Sequence, residues 1–272
     1  LEACIKYLDQ NPSYSSCIGR AIGFSFNGSQ VLGVKAYPHM SDYQLSQENN
    51  ADRLLHLMRD YSPHLWYSVI SSDVWKSTIQ TVTKKEFNIS ANQEVQFQMC
   101  VAFSGKSRVL PILTWLRSYE NSPIKGTDPS LSSDNFFTAW HSSNYIFSIK
   151  SDLIDNVVAG LKKYSAINNK KLSVHVSQAF NEYSKFCLLG RPDKNNFKRV
   201  MQYLRHFLPL RFRKIIRGFL IKPKVEYDVQ LINMAQIMSE EGVMYNSDEL
   251  KKINSSVVYF NNHQSKINES TD

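Results

Sequence analysis

Apolar residues recur every three or four positions through 92–106, where Val95, Met99, Ala102 and Phe103 form the stripe of a helix packed on a core. Glu94 stands in its first turn, Gly105 is a natural residue to end it, and 108–116 reads as the strand that follows. Taken alone, Glu94 is a surface carboxylate complementing a helix dipole, worth a few tenths up to about 1 kcal/mol. Before it, residues 1–8 place Leu1, Ile5 and Leu8 on one helical face until Asn11-Pro12-Ser13 breaks the pattern. Residues 17–26 form a buried strand, Asn27-Gly28 a hairpin signal, and 31–37 the return strand. Within the first of these, Gly19-Arg20 marks either a close backbone approach or a bulge. The segment 48–60 is an amphipathic helix that buries Leu54, Leu55 and Met58 and turns Arg53, His56 and Arg59 outward or to its edge. A strand over 65–70 and a short helix over 74–82, capped by Ser72-Asp73, complete an alternation that favours an α/β layer.

From 118 to 134 the pattern changes. Pro123, Gly126, Pro129 and a cluster of serines make a loop, and a loop of this length is a functional or mobile feature. Strand signals nearly vanish after it: 135–140, 149–164, 172–188 and 195–207 all carry helical periodicity. A further helix is expected over 227–238 and a short one over 248–253, with a polar, frayed tail over 261–272.

Composition narrows the classes. The chain has 272 residues, 42% of them hydrophobic and 21% charged, as in a soluble globular protein. No apolar run approaches the length needed to span a bilayer. Cys4, Cys17, Cys100 and Cys187 are far apart with no C-x-x-C pair, so reduced thiols are expected rather than a zinc site. The seven histidines are scattered, without metal-ligand spacing. Residues 1–8 read as the inside of a helix with no capping residue before it, and no signal-peptide pattern is present, so the chain reads as the downstream part of a longer protein.

Charge is concentrated in one place. Residues 194–224 carry ten Lys or Arg and no Asp or Glu, against a net +8 for the whole chain. Leu208, Phe212, Ile215, Ile216 and Phe219 share one helical face there, flanked by Arg211, Arg213, Lys214 and Arg217, with Pro209 dividing the segment. Two readings fit equally: a solvated helix packed on the body, or a basic amphipathic helix on an anionic membrane surface. Nucleic acid is not an expected partner, because no finger, recognition-helix or RNP-like pattern accompanies the charge.

The ordered series Tyr7-Leu8-Asp9-Gln10-Asn11-Pro12-Ser13-Tyr14-Ser15, Gly19-Arg20-Ala21-Ile22, Ala51-Asp52-Arg53-Leu54-Leu55, Leu65-Trp66-Tyr67-Ser68-Val69, the Glu94 helix, Gly105-Lys106 and Leu116-Arg117-Ser118-Tyr119-Glu120 resembles the downstream part of a bacterial glycosyltransferase family with a GT-A-like (nucleotide-diphospho-sugar transferase) catalytic domain, associated with surface-polysaccharide synthesis. The similarity runs from residue 1 to about 190. It implies an α/β fold in which 1–120 is the acceptor-side part of the catalytic domain. A loop over 121–134 would lead to a mostly helical extension over 135–260 and a disordered tail. It also implies a nucleotide-sugar donor, a glycan or lipid-linked acceptor, and a divalent Mg or Mn whose Asp-rich ligands lie upstream; this chain has no D-x-D. A fragment lacking that half would be inactive alone. By the same resemblance Glu94 would be the general base that takes the acceptor's proton, and the helix N-terminus would keep it ionised. The pair of adjacent acids usual in such enzymes is absent, Glu94 being flanked by Gln93 and Val95. Arg117 and Arg20 are the candidates for the diphosphate, although an ion pair with Glu120 accounts for Arg117 equally well. The 118–134 loop would be a lid over the donor. The implied place is the cytoplasm, peripheral on the inner face of the membrane. The alternative is a non-catalytic module that binds an anionic partner through 194–224.

Overall fold

The strand β1 (Tyr14–Asn27) mixes apolar residues with Ser15, Ser16 and Arg20 and is buried from Ser15 to Gly23, as a strand covered on both faces must be. The computed structural model describes residues 1–27, 30–41, 43–87, 91–119, 146–189 and 229–269. In it β1 pairs antiparallel with β2 (Gln30–Ala36) and parallel with β5 (Lys106–Ser118). Three two-residue strands, β3 (Gln44–Leu45), β4 (Val69–Ile70) and β6 (Val229–Gln230), complete a mixed sheet of order β3-β5-β1-β2-β6, in which β4 pairs with β1. The outer edge of β5 is further closed by backbone hydrogen bonds between Met244 and both Pro111 and Leu113, each 2.8 Å.

Eight α-helices lie among the described residues: α1 (Glu2–Gln10), α2 (Asn50–Arg59), α3 (Ser72–Val82), α4 (Ala91–Ser104), α5 (Ile146–Leu161), α6 (Asn169–Leu189), α7 (Leu231–Glu240) and α8 (Ser247–Glu269). They build two separate cores. One joins Ile18 and Val109 of the sheet to α2, α3, α4, α5 and α6; the other joins Ile22 and Val31 to α7 and α8. The switch between Ile18 and Ile22, which an unbroken strand would place on one face, follows from register shifts against β5 between Ile18 and Ala21. Both expectations for Gly19 therefore hold. It lies in an irregular stretch, its amide donates to Thr114 Oγ1 at 3.0 Å, and a Cβ there would meet the Ile112 carbonyl oxygen at 2.2 Å.

The helix α4 is the centre of the larger core. Val95, Met99, Ala102 and Phe103 are buried as expected, but so are Phe97, Val101, Gln96 and Gln98, so the helix is enclosed all round rather than along a stripe. Gln96 accepts from Asn156 Nδ2 at 2.7 Å, and the same amide donates to the Thr81 carbonyl at 2.9 Å. This ties α4 to α3 and α5. The helices that follow residue 145 thus share their core with residues 1–119.

Several sequence expectations are corrected. Arg53 does not face outward; it is 3% exposed and donates to the carbonyls of Ala102 (3.0 Å) and Phe103 (3.1 Å), capping the last turn of α4, and to Gln47 (2.6 Å) and Glu48 (3.1 Å). On α1 the buried residue is Cys4, while Leu1 and Ile5 are 77% and 51% exposed. Residues 63–67 form a 3-10 turn begun by Pro63, which leaves only Val69–Ile70 as strand. The N-cap of α3 is Ser71, not Ser72. The short helix expected at 248–253 is a 23-residue helix reaching into the expected frayed tail. Cys4 and Cys17 meet where α1 lies on β1; the hydrogen bond between the two thiols lowers the first and raises the second. The expected loop 121–134, the expected helices 135–140 and 195–207, and the basic segment 194–224 lie outside the described residues.

Candidate functional site

Glu94 sits in the first turn of α4, half-buried, with Oε1 accepting a 2.6 Å hydrogen bond from the Tyr61 hydroxyl. Tyr61 follows α2 and is itself buried, its ring edge-on to Tyr183 at 4.6 Å and tilted against Phe186 at 6.0 Å, both from α6. Enclosure by these rings removes water from the carboxyl. Burial therefore raises Glu94 above the ordinary glutamate value, and the Tyr61 hydrogen bond opposes that shift without reversing it. This corrects the expectation that the helix N-terminus alone would keep the group low. Burial likewise pushes Tyr61 and Tyr183 well above the usual tyrosine value, so both phenols keep their protons.

A run of aromatic contacts leads from Tyr67 to the arginines. Tyr67, at the end of the 3-10 turn, is raised by burial and by the charge of Glu94. Its ring stacks on Trp115 of β5 at 4.1 Å, and Trp115 stacks in turn on Tyr37 at 5.9 Å. Arg117, two residues along β5, lies with its guanidinium carbon 5.4 Å from the Tyr37 ring centre, 5.9 Å from that of Trp115 and 5.5 Å from that of Tyr119. Tyr119 is seated over Gly23, where a Cβ would collide with its ring. Glu120, the alternative partner for Arg117, is outside the described residues.

Arg20 is 7% exposed and lines a small concavity, with room for about one water molecule, together with Tyr37, Met40, His64 and Trp115. Tyr37 has φ of 50°, the left-handed region that a bulky residue rarely occupies, and its buried hydroxyl finds no partner among the described residues. Strain of this kind gathers at working sites. The structure thus brings Arg20 and Arg117 to one aromatic cluster around Tyr37 and Trp115. Glu94 does not line the concavity, and it reaches that cluster only through the effect of its charge on Tyr67. Arg211, Arg213, Lys214 and Arg217 lie outside the described residues.

Residue-by-residue reasoning missed Tyr61, Tyr67, Tyr37, Trp115 and His64. The one local signal was the dipeptide Tyr37-Pro38, since a residue before proline is already conformationally restricted.

Among the described residues no three His, Cys, Asp or Glu side chains gather into a group able to hold a metal ion. The groups that act on Glu94 are phenols rather than further carboxylates, which is not the donor set that Mg or Mn takes. What fold and site define is a mixed α/β protein with a half-buried carboxylate held by a buried tyrosine, and with an arginine-bearing aromatic cluster. No protein-family model, curated protein or solved structure matches the chain.

Proposed function

We propose that this chain is the acceptor-side part of a glycosyltransferase that moves a sugar from a nucleotide-sugar donor to a glycan or lipid-linked acceptor, with Glu94 as general base. The observation that carries the reading is the setting of Glu94: a half-buried carboxyl raised above its ordinary value by burial and hydrogen-bonded through one oxygen to Tyr61, in a chain whose Arg20 and Arg117 share one aromatic cluster. A base works best when its proton affinity approaches the operating pH, and burial moves Glu94 in that direction. In the step, the acceptor hydroxyl gives its proton to Glu94 as its oxygen bonds to the anomeric carbon. The bond from that carbon to the diphosphate breaks, and its electron pair leaves with the nucleoside diphosphate. Arg117 and Arg20 are suited to that leaving charge, since a guanidinium matches phosphate oxygens. A divalent Mg or Mn, held by residues outside this chain, belongs to the same reading.

The test is sugar transfer by the protein made from its complete gene. Glu94→Gln is expected to lower transfer by about 10²- to 10⁴-fold, the usual weight of a general base, while donor binding by calorimetry is unchanged. Transfer near the wild-type rate would place the base elsewhere.

A second reading rests on the ten basic residues of 194–224: a non-catalytic module that binds an anionic surface. Under the first reading, the same segment would hold the enzyme at the inner face of the cytoplasmic membrane. No helix among the described residues is long and apolar enough to cross a membrane.

A further inference from the structure

We infer that Tyr61 is the positioning residue for Glu94, fixing the direction and the charge of its carboxylate through a hydroxyl that α6 holds from behind. The inference rests on the reading of Glu94 as the base. Its geometry is a 2.6 Å bond from a buried phenol to Oε1, with the phenol's ring fixed edge-on against Tyr183 and tilted against Phe186. A tyrosine has two side-chain torsions, and a ring packed in this way leaves the hydroxyl one place to be. With Oε1 engaged by Tyr61, Oε2 is the oxygen left to take the acceptor's proton.

The donor cannot be exchanged for an acceptor. Burial keeps Tyr61 protonated across the physiological range, so its hydroxyl stabilises the ionised carboxylate at every working pH. Among the described residues the titratable groups acting on Glu94 are Tyr61 after α2, Tyr67 on the 3-10 turn and Tyr183 on α6. Of these, Tyr61 is the one that offsets the effect of burial. The arrangement also gives α6 a part in the site. Its Tyr183 and Phe186 never touch a reacting atom in this scheme, yet they seat the ring that aims the base.

Carbon-13 NMR of the labelled Glu94 carboxyl reads the inference directly. Tyr61→Phe keeps the ring and its packing and removes only the donor, so the Glu94 titration midpoint is expected to move up. The acidic limb of the transfer-rate profile should move with it, with about a ten-fold loss of transfer below the new midpoint and an unchanged donor KM. Installing 3-fluorotyrosine at position 61, a stronger donor of nearly the same shape, should move the midpoint down, which keeps the test decisive if Tyr61→Phe folds poorly. A midpoint indifferent to both replacements overturns the inference. If the midpoint moves as expected while Glu94→Gln leaves transfer intact, the pairing stands and the reading of Glu94 as a base fails.

Discussion

Glu94 shows at the scale of one residue what local sequence conveys and what it does not. Its place in the first turn of α4 was legible, because periodicity and a helix-ending glycine locate a helix without reference to the rest of the chain. Its charge state was not. The dipole argument uses the residue's own helix, whereas the dominant effect is desolvation by burial, under residues such as Tyr61 that the fold brings from other parts of the chain. The sign of the consequence for stability follows from linkage. The folded state holds the Glu94 proton more tightly than the unfolded chain, so stability falls as pH rises from the ordinary value of 4.5 through the raised folded value, and stays lower above it. Glu94→Gln keeps an acceptor for Tyr61 and removes the buried charge. Thermal unfolding should therefore give the variant a higher Tm than wild type at pH 7 to 8, with the difference closing as pH drops below about 4.5. A variant no more stable at neutral pH would mean that the carboxylate is better solvated than its surroundings imply. A residue whose ionised form costs stability where an amide would not is one kept for its chemistry.

At the scale of elements, the strands that read well were those whose signal is a long apolar run closed by a turn dipeptide, as in β1 and β2. The stretch 65–70 misled because Leu, Trp and Tyr suit a strand, yet Pro63 starts a 3-10 turn that buries Leu65 and leaves Trp66 and Tyr67 half exposed. Arg53 misled for a related reason. Periodicity assigns a charged residue to the outside, but the last carbonyls of α4 need donors, and a guanidinium carries enough N–H groups to serve several at once. Helix packing sets a further constraint that propensity scales would get backwards. Gly160 in α5 lies against Thr81 of α3 so closely that an added Cβ would sit 2.3 Å from Thr81 Oγ1. Thr81 cannot easily yield, since its hydroxyl bonds to the Ser77 carbonyl and its own carbonyl accepts from Asn156. By propensity Gly160→Ala would gain about 1 kcal/mol. The overlap should outweigh that gain, for a net loss of about 1–2 kcal/mol in denaturant unfolding at unchanged m-value. A stabilised variant would show that α5 can slide on α3.

On the scale of the whole molecule, the alternation of helices and strands up to residue 118 was enough to propose an α/β layer, and the periodicity over 149–164 and 172–188 falls on α5 and α6. What periodicity could not convey is where those later helices go: α5 and α6 complete the core around α4, while α7 and α8 cover the opposite face through Ile22 and Val31. Such pairings are long-range and leave no mark on local spacing. Charge is distributed just as unevenly. With +10 in residues 194–224 and +8 overall, the rest of the chain carries −2, so any long-range attraction to anions comes from that one stretch. Near an anionic bilayer each Lys or Arg contributes about 1 kcal/mol, and the attraction fades within a Debye length as salt is raised. Vesicles containing phosphatidylglycerol should therefore sediment the protein from 0.1 M salt where pure phosphatidylcholine vesicles do not. Replacing Arg211, Arg213 and Arg217 by glutamine removes about 3 kcal/mol of attraction and should weaken that binding by roughly 100-fold. Equal recovery with both lipids, or a triple variant that binds as wild type does, would remove the membrane from the proposal. The apolar residues Leu208, Phe212, Ile215, Ile216 and Phe219 would then be left to pack on the body of the protein, which needs the same stripe.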